Sequence, residues 1–387
     1  MRRILAATIG VLLLAPHCAA QTNEMEPIRV SKDGRGFELA DSGKPFVPWG
    51  HNYVGPEGKL LEDVWEADWD TVVQDFRDMK QTGANVVRVH LQVNEFMEAA
   101  DRVNHNSLRL LARLLQLAEQ NDLYLDITGL SCYRTSDVPA WYDSLSEQDR
   151  WRVQARFWAA VAEVGANSPA VFCYDLMNEP VVPGGQREAG QWYSGKPFGG
   201  YDFVQFIALD QAGRPRHEIA RDWIRTLTPA IRAHDSERLI TAGLLPWTEE
   251  WGHLSGFVLN QIAPEVDFIA VHIYPEAGKP DAAITVLKKF AVGKPVVIEE
   301  TFNLRCSIEE LRQFMLDSRG LAAGWIGHYG GQSPAEFEQL QQQGRLTMSQ
   351  AFMRNWLELF QTIRPEMITA GSAPKNPPGR RSAAPAD

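Results

Sequence analysis

The sequence of 387 residues contains only four cysteines, and their spacing matches neither a metal site nor a disulfide framework. Cys18 lies in the apolar N-terminal stretch, which leaves an odd set of three, Cys132, Cys173 and Cys306. One disulfide among these three stays open as an alternative. The chain is long enough to bury a large core without covalent cross-links, so we expect small, buried thiol side chains instead.

Basic residues are also scarce relative to acidic ones. The sequence has 38 lysines and arginines against 49 aspartates and glutamates, which gives a formal net charge of −11 at pH 7. A chain of this charge is poorly suited to bind phosphate backbones or anionic lipid surfaces. We therefore expect no nucleic-acid partner and a neutral substrate. We also expect the chain to act as a monomer.

The apolar stretch at residues 4–15 is too short for a membrane-spanning helix, which needs about 20 such residues. Arg2 and Arg3 precede it and the small residues Cys18-Ala19-Ala20 follow it, which is the pattern of a secretory signal peptide with its cleavage site. Residues 1–20 are therefore predicted to export the mature chain, to the periplasm or the medium, and to leave no integral membrane segment. An uncleaved N-terminal anchor is the alternative.

No glycine-rich phosphate loop follows the first predicted strand, which disfavours the alternative of an open doubly wound sheet. Instead, eight apolar segments of strand length alternate with amphipathic helical patterns. The predicted strands are residues 45–51, 85–91, 123–129, 170–178, 238–243, 267–273, 295–300 and 322–328. The clearest helical patterns are residues 69–81, 107–121, 147–166, 218–233, 308–318 and 348–362. Such an alternation predicts parallel pairing through right-handed crossovers, and eight units close into a (β/α)8 TIM barrel.

A single domain, residues 27–368, is expected to hold this barrel. Turn signals at Asp33-Gly34 and Asp41-Ser42-Gly43 predict a short β-hairpin ahead of it. The tail, residues 369–387, is rich in proline, alanine, glycine and serine and is predicted to be disordered. The long segment at residues 181–217 carries several aromatic residues, so it either borders the functional face or forms a surface excursion with its own small core.

Polar residues collect where the predicted strands end. The apolar run that starts at residue 170 ends in Asn178-Glu179-Pro180, and Pro180 stops the strand because it cannot donate to the sheet ladder. Glu179 therefore lies at the carboxyl end of a buried strand, where α/β barrels carry their chemistry. The seventh predicted strand ends in Glu299-Glu300, which puts a second acid across the barrel mouth. Two facing carboxyl groups are what hydrolysis of a glycosidic bond requires.

Other strand ends supply candidate partners for these acids, since a buried carboxylate is costly unless it is paired or hydrogen-bonded. Arg88 lies on the second predicted strand, and His272 and Tyr274 end the sixth. Trp325 lies on the eighth.

In this order, these residues resemble glycoside hydrolase family 5, the cellulase family, within the clan of (β/α)8-barrel glycosidases. The resemblance spans roughly residues 30–365. The matching positions are Asn178-Glu179-Pro180, Arg88, His272, Tyr274, residues 294–300, Trp325, Gly43-Lys44-Pro45-Phe46 and Gly50-His51-Asn52-Tyr53.

The resemblance implies a retaining glycosidase that acts on a β-linked polysaccharide or oligosaccharide of mannan or glucan type, similar to endo-β-mannanases or endo-β-glucanases. It implies no metal and no organic cofactor. Glu179 would be the general acid/base and Glu300 the nucleophile of a double displacement, with the two carboxyl groups about 5–5.5 Å apart. Asn178 would bind the sugar 2-hydroxyl.

The resemblance also assigns supporting roles. Arg88 and Tyr274 would hold the carboxylate of Glu300 and keep its pKa low through charge and hydrogen bonding. His272 would line the site near Glu179. Trp325 would be the floor on which the sugar at the cleavage position rests its apolar face.

Two features depart from this pattern or leave it ambiguous. Consecutive strand residues point to opposite faces, so only one of Glu299 and Glu300 should enter the barrel mouth, and the resemblance favours Glu300. The third strand carries Asp126-Ile127-Thr128 where many members of the family have Asp-x-His. A donor near the cleavage position is then missing or comes from His90 or His51.

Two alternatives come from other functional classes. A non-catalytic carbohydrate-binding barrel would keep the aromatic floor without turnover, but the presence of both glutamates argues against it. A metal-dependent barrel hydrolase would use His272, His90 and the glutamates, although these residues lack the spacing typical of metal ligands.

Overall fold

The computed structural model describes residues 25–247 and 255–368, and in them the chain forms a closed barrel of eight parallel strands. Each strand pairs with its neighbours in the chain, and the eighth pairs with the first. In chain order, the strands β1 to β8 are Trp49–Tyr53, Val86–Gln92, Tyr124–Ser131, Val171–Asn178, Leu239–Leu244, Ile269–His272, Val296–Glu300 and Gly324–Tyr329. The predicted TIM barrel is thus confirmed. The predicted signal (1–20) and tail (369–387) lie outside the described residues.

The first strand differs from the prediction of residues 45–51. Pro48 interrupts that run because it has no N–H to donate to a sheet ladder, and β1 begins at Trp49. Pro45–Phe46 belongs instead to a small antiparallel sheet with Ile28–Val30 and Phe37–Leu39, which contains the predicted hairpin.

This N-terminal sheet closes the bottom of the barrel, where the strands begin. The ring of Phe37 packs edge-on against Phe172 and Phe268, each at 5.3 Å between centroids, and Phe46 packs against Tyr124 at 5.0 Å. These side chains form one buried apolar cluster with the lower interior of the barrel. Because this end is filled, the carboxyl ends of the strands are the open face.

Helices surround the barrel and bury apolar side chains against its outer surface. All six predicted helices occur, with bounds that shift by a few residues. The longer helices are Leu61–Ala67, Trp69–Gln81, His105–Gln120, Glu147–Gly165, Arg216–Arg232, Pro280–Phe290, Ile308–Ser318, Pro334–Gln342 and Met348–Ile368. Single turns of helix lie at Pro56–Gly58, Val93–Phe96, Thr135–Asp137, Ala140–Asp143, Leu259–Ile262 and Ala263–Glu265.

Two short strand pairs lie in the connections, Met97–Ala99 with Arg102–Val103 and Pro180–Val181 with Gln205–Phe206. Within the described ranges, no helix combines the length and the hydropathy that a membrane span requires. Cys132 and Cys173 are buried and Cys306 is half-buried, and all three are free thiols.

Candidate active site

Arg88 on β2 is the centre of a polar cluster in the upper half of the barrel interior. Its side chain is fully buried and donates to Glu300 Oε1 at 2.7 Å, to Asp175 Oδ2 at 2.7 Å, to Asn52 Oδ1 at 2.9 Å and to Asn178 Oδ1 at 3.0 Å. These partners come from β1, β4 and β7. One guanidinium therefore fixes the relative positions of strand ends that are remote in the chain.

Glu179 and Glu300 meet at the open end of this cluster. His272 Nδ1 lies 3.0 Å from Glu179 Oε1 and 3.6 Å from Glu300 Oε2. One oxygen of each glutamate and one nitrogen of His272 lie within 4.8 Å of one another. The two acid side chains are 14% and 13% exposed, so both are recessed yet reach solvent.

The backbone of Glu179 is unusual for a residue with a side chain. Its φ of +46° lies in the left-handed region, which is unfavourable for residues other than glycine, and its N–H donates to Gly243 O at 2.8 Å. Strain of this kind persists only where the surrounding structure imposes it, and it clusters at functional sites.

The surroundings of Glu300 keep its carboxylate ionised. Tyr274 Oη donates to Glu300 Oε2 at 2.6 Å, and Arg88 holds the other oxygen. Burial alone would raise the pKa of Glu300, but the charges of His272 and Arg88 and the hydrogen bond from Tyr274 lower that pKa well below its usual range.

His272 connects the mouth to the deeper interior. Its Nδ1 faces Glu179, and its Nε2 lies 3.3 Å from Glu299 Oε2. Burial would lower the pKa of His272, but the charge of Glu300 and the hydrogen bonds to Glu179 and Glu299 raise that pKa to about 10. An imidazolium can donate from both nitrogens, and both nitrogens of His272 face carboxyl oxygens.

Glu299 shows that the alternation argument is wrong at the end of β7. The pairing with β6 shifts there: Val271 pairs with Ile298 and His272 pairs with Glu300, so the ladder skips Glu299. Both glutamates therefore turn inward at different depths. Glu299 is fully buried, 3.5 Å from Arg88 Nη2, whereas Glu300 reaches the mouth.

Two further buried acids lie beside Glu299. Asp175 accepts hydrogen bonds from Arg88 and from Thr128 Oγ1, the latter at 2.7 Å. Neither carboxyl oxygen of Asp126 has a hydrogen-bond partner. Burial and the neighbouring charge of Glu299 raise the pKa of Asp126 well above its usual range. Asp175 was missed in the sequence, although an acid inside an apolar run was a visible signal.

The upper rim contains His90 but not His51. His90 Nδ1 lies 2.6 Å from Tyr133 Oη, and Nε2 lies 3.2 Å from Asn52 Oδ1, so His90 remains a candidate donor. His51 points outward from β1, where its Nε2 lies 2.9 Å from Thr82 Oγ1 and its ring is buried. The suggestion that His51 supplies the missing donor is therefore wrong.

His328 is a site residue that the sequence analysis did not assign. It is the penultimate residue of β8 and faces inward, and its Nε2 lies 3.0 Å from Tyr274 Oη. Its ring is nearly parallel to that of Tyr274, with 6.2 Å between centroids, and Phe302 packs edge-on against it. A polar residue near the carboxyl end of a predicted strand was the signal that could have identified His328.

The segment at residues 181–217 borders the site, as one of its two interpretations predicted. Phe203 O accepts a hydrogen bond of 3.1 Å from Asn178 Nδ2, and the Phe203 ring packs against Tyr133 at 4.9 Å. Tyr201 Oη donates to Gly58 O, in the connection after β1, at 2.8 Å. The segment that leaves β4 thus extends around the rim as far as β1.

Trp325 does not lie at the mouth, which contradicts its predicted role as the sugar floor. It pairs with Trp49 at the beginning of β8, and its indole N–H donates to Ser318 Oγ in the outer helical layer at 2.8 Å. The side chain is 2% exposed and packs against Trp49 at 6.4 Å between centroids. Inward side chains of β8 are those at Ile326 and His328, so Trp325 faces outward.

Trp325→Phe should consequently leave kcat/KM almost unchanged while it lowers the free energy of unfolding. The substitution removes the hydrogen bond to Ser318 and part of a well-packed ring, which together cost about 1–3 kcal/mol. Urea unfolding and steady-state kinetics check the two effects separately. A large fall in kcat/KM with unchanged stability would restore the sugar-floor role.

Two sets of side chains offer three possible metal ligands each, Glu179 with His272 and Glu300, and Asp126 with Asp175 and Glu299. In the first set, both ring nitrogens of His272 already face carboxyl groups, Nδ1 that of Glu179 at 3.0 Å and Nε2 that of Glu299 at 3.3 Å. In the second, the Arg88 guanidinium already lies 2.7 Å from Asp175. The possible ligand atoms of both sets are therefore already engaged with neighbouring side chains.

His272 should make the stability of the fold depend on pH. Its pKa rises from the ordinary 6.5 to about 10 on folding, so its stabilising contribution is fully present below pH 6.5 and is lost as pH rises through about 10. Urea unfolding at a series of pH values across this window should show a falling free energy of unfolding. His272→Gln should show a smaller fall, and parallel curves for the two proteins would contradict the expectation.

Comparisons with known proteins agree with this architecture. The profile of the family described as cellulase (glycosyl hydrolase family 5) matches residues 39–355. A probable mannan endo-1,4-beta-mannosidase A-1 from Aspergillus terreus is 25% identical over 321 residues, which are 69% of this chain and 74% of that protein. Mannan endo-1,4-beta-mannosidase 2 from Arabidopsis thaliana is 27% identical over 142 residues, so the match covers 33% of this chain and only 26% of that relative.

Among solved structures, an exo-beta-1,4-mannosidase from an Opitutaceae bacterium has a TM-score of 0.62 at 16% sequence identity. The alignment covers 86% of this chain and 62% of that one, and at this identity it shows the shared barrel fold. The family profile spans most of the sequence, including both glutamate-bearing strands. The chain therefore belongs to glycosyl hydrolase family 5, the cellulase family.

Proposed function

We propose that the protein is an exported, retaining glycoside hydrolase that cleaves β-1,4-linked mannan-type chains by double displacement. Glu179 is the general acid/base and Glu300 the nucleophile. One observation carries the proposal: the Glu300 carboxyl group, held by Arg88 and Tyr274, has an oxygen within 4.8 Å of an oxygen of the Glu179 carboxyl group. Retaining glycosidases separate their carboxyl groups by about 5–5.5 Å, whereas inverting ones need roughly 6.5–9.5 Å.

In the first step, Glu300 attacks the anomeric carbon while the bond to the leaving oxygen breaks and Glu179 gives that oxygen its proton. Glu179 is then a carboxylate, and the imidazolium of His272, 3.0 Å away, stabilises the new charge. In the second step, Glu179 takes a proton from water, the water oxygen attacks the anomeric carbon, and Glu300 leaves as a carboxylate. Two inversions give net retention.

Asn178 is proposed to bind the 2-hydroxyl of the sugar that is cleaved. Its Oδ1 accepts from Arg88 and one amide hydrogen is donated to Phe203 O, which leaves its second amide hydrogen for a substrate. Mannose and glucose differ in configuration at this carbon, so the contact lies where the two classes of chain can be distinguished. The similarity to mannan endo-1,4-beta-mannosidases favours mannan.

The test is a screen of mannan, glucomannan, carboxymethylcellulose, xylan and aryl β-glycosides, with product sizes measured. Hydrolysis of mannan or glucomannan is the expected result, and proton NMR during the first turnovers should show the β-anomer before mutarotation. Early appearance of the α-anomer would overturn the retaining mechanism. Binding to these glycans without any hydrolysis would instead favour the non-catalytic carbohydrate-binding barrel, and loss of activity with a chelator would favour a metal-dependent hydrolase.

A further inference from the structure

Glu299 is a fully buried acid that the double displacement does not use. Its side chain is completely buried, and Oε2 lies 3.3 Å from His272 Nε2 and 3.5 Å from Arg88 Nη2. Its other oxygen, Oε1, has no hydrogen-bond partner. A buried carboxylate oxygen without a donor is unfavourable by about 1–3 kcal/mol or more, so its persistence calls for a physical cause.

Asp126 provides that cause. It faces Glu299 from β3, with an oxygen of each acid within 4.8 Å of the other, and both of its own oxygens lack partners. Two ionised carboxylates have no hydrogen to place between them and repel each other in a medium that screens charge poorly. One proton between the two acids removes the repulsion and supplies the missing donor.

The balance of buried charges also favours a proton between Asp126 and Glu299. The buried acids Asp126, Asp175 and Glu299 lie beside a single guanidinium, that of Arg88, which also pairs with Glu300. Arg88 makes its short contacts to Asp175 and Glu300, at 2.7 Å each. Glu299 is left with His272 as its nearest donor.

The groups that face His272 come from several strands. The charged groups are the three glutamates, within 3.6 Å, and Arg88 on β2. Tyr274 follows on its own segment, His90 and His328 approach from β2 and β8, and β5 presents only the backbone of Gly243. Of these, Glu299 alone approaches Nε2 within hydrogen-bonding distance and carries no role in bond cleavage.

We propose that Asp126 and Glu299 share one proton, and that the negative charge of this pair holds His272 as an imidazolium with its Nδ1–H directed at Glu179. Glu299 is thereby a positioning residue for the acid/base step, and Asp126 contributes only a hydrogen-bond donor to it. The part that concerns Glu179 rests on the proposed function, whereas the protonation of His272 does not.

The experiment is a pH titration of the full chain labelled with ¹⁵N-histidine, with the His272 signals identified by their loss in His272→Gln. Wild-type His272 should remain an imidazolium far above the ordinary histidine range. Glu299→Gln should lower its titration midpoint by about one to three pH units, because the facing charge is gone. Asp126→Asn is the matched control: its amide can donate to Glu299 as the shared proton does, so the midpoint should stay within a few tenths of a unit.

Kinetics provide a second readout that a merely structural role would not change. Glu299→Gln should keep turnover at acidic pH and lose it as His272 deprotonates, whereas Asp126→Asn should follow the wild-type profile. A neutral His272 at pH 8 in the wild type, which needs no variant, would overturn the inference. An unchanged midpoint in Glu299→Gln, or an equal shift in Asp126→Asn, would also overturn it. Absence of hydrolysis of every glycan in the screen would overturn the proposed function and leave the titration decisive for the protonation of His272.

Discussion

Glu300→Gln should lower kcat by at least about 10⁴-fold, because the amide cannot form the covalent glycosyl intermediate. The side chain keeps its volume, its amide oxygen can still accept from Arg88, and its NH2 group can donate to Tyr274 Oη, so the protein should fold. Circular dichroism and thermal unfolding check the fold, and initial rates on the best substrate of the screen check the activity.

Glu299→Gln is the matched control, since it removes the neighbouring carboxylate from the same strand. At acidic pH it should retain measurable turnover, because Glu299 lies below the mouth and is fully buried. If Glu299→Gln abolished turnover at all pH values while Glu300→Gln remained active, the two roles would have to be exchanged.

Chemical rescue makes the assignment of Glu300 sharper. In Glu300→Ala, azide should enter the space left by the carboxylate and attack the anomeric carbon while Glu179 protonates the leaving oxygen. The product is a glycosyl azide of inverted configuration, because only one displacement occurs. A glycosyl azide of retained configuration would instead mean that Glu300 is the general acid/base and not the nucleophile.

The barrel and its eight strands could be predicted because burial on both faces gives each strand of a parallel sheet an apolar run. The same property explains why the sequence could not predict whether a single side chain points into or out of the barrel. β8 is apolar on both faces, so nothing in the sequence separates an outward Trp325 from an inward one. Pairing with Trp49 sets that direction, and only the closed barrel contains that information. His51 was misassigned for the same reason.

The sequence could predict those site residues that the order of the strands alone brings close together. Carboxyl ends of parallel strands meet at one face, so Glu179, Glu300, Arg88 and His272 could be brought together from their order in the chain. The inward turn of Glu299 depends on a shift in strand pairing, which no side-chain pattern records. The contact between Phe203 and Asn178 depends on the path of a long connection, which composition does not determine.

Arg88→Met should destabilise the fold by about 3–5 kcal/mol and abolish activity. The substitution keeps most of the side-chain volume but leaves Asp175 and Glu300 without their shared cation in a buried site. Urea unfolding at pH 7 measures the loss. Arg152→Met is the control, because Arg152 pairs with Asp149 on the exposed surface, and its free energy of unfolding should be nearly unchanged.

The dependence on pH distinguishes lost charge pairing from lost packing in Arg88→Met. In the wild type the folded pKa of Glu300 is depressed, so its stabilising contribution is present above the ordinary value of 4.5 and is lost as pH falls below it. Without Arg88 the buried acids bind protons more readily, so the variant should lose stability as pH rises. The gap between wild type and Arg88→Met should therefore narrow on acidification towards pH 4.5, and adding Asp175→Asn should recover part of it at pH 7. A gap that is constant with pH would mean that Arg88 acts by filling space, and the electrostatic account of the site would fail.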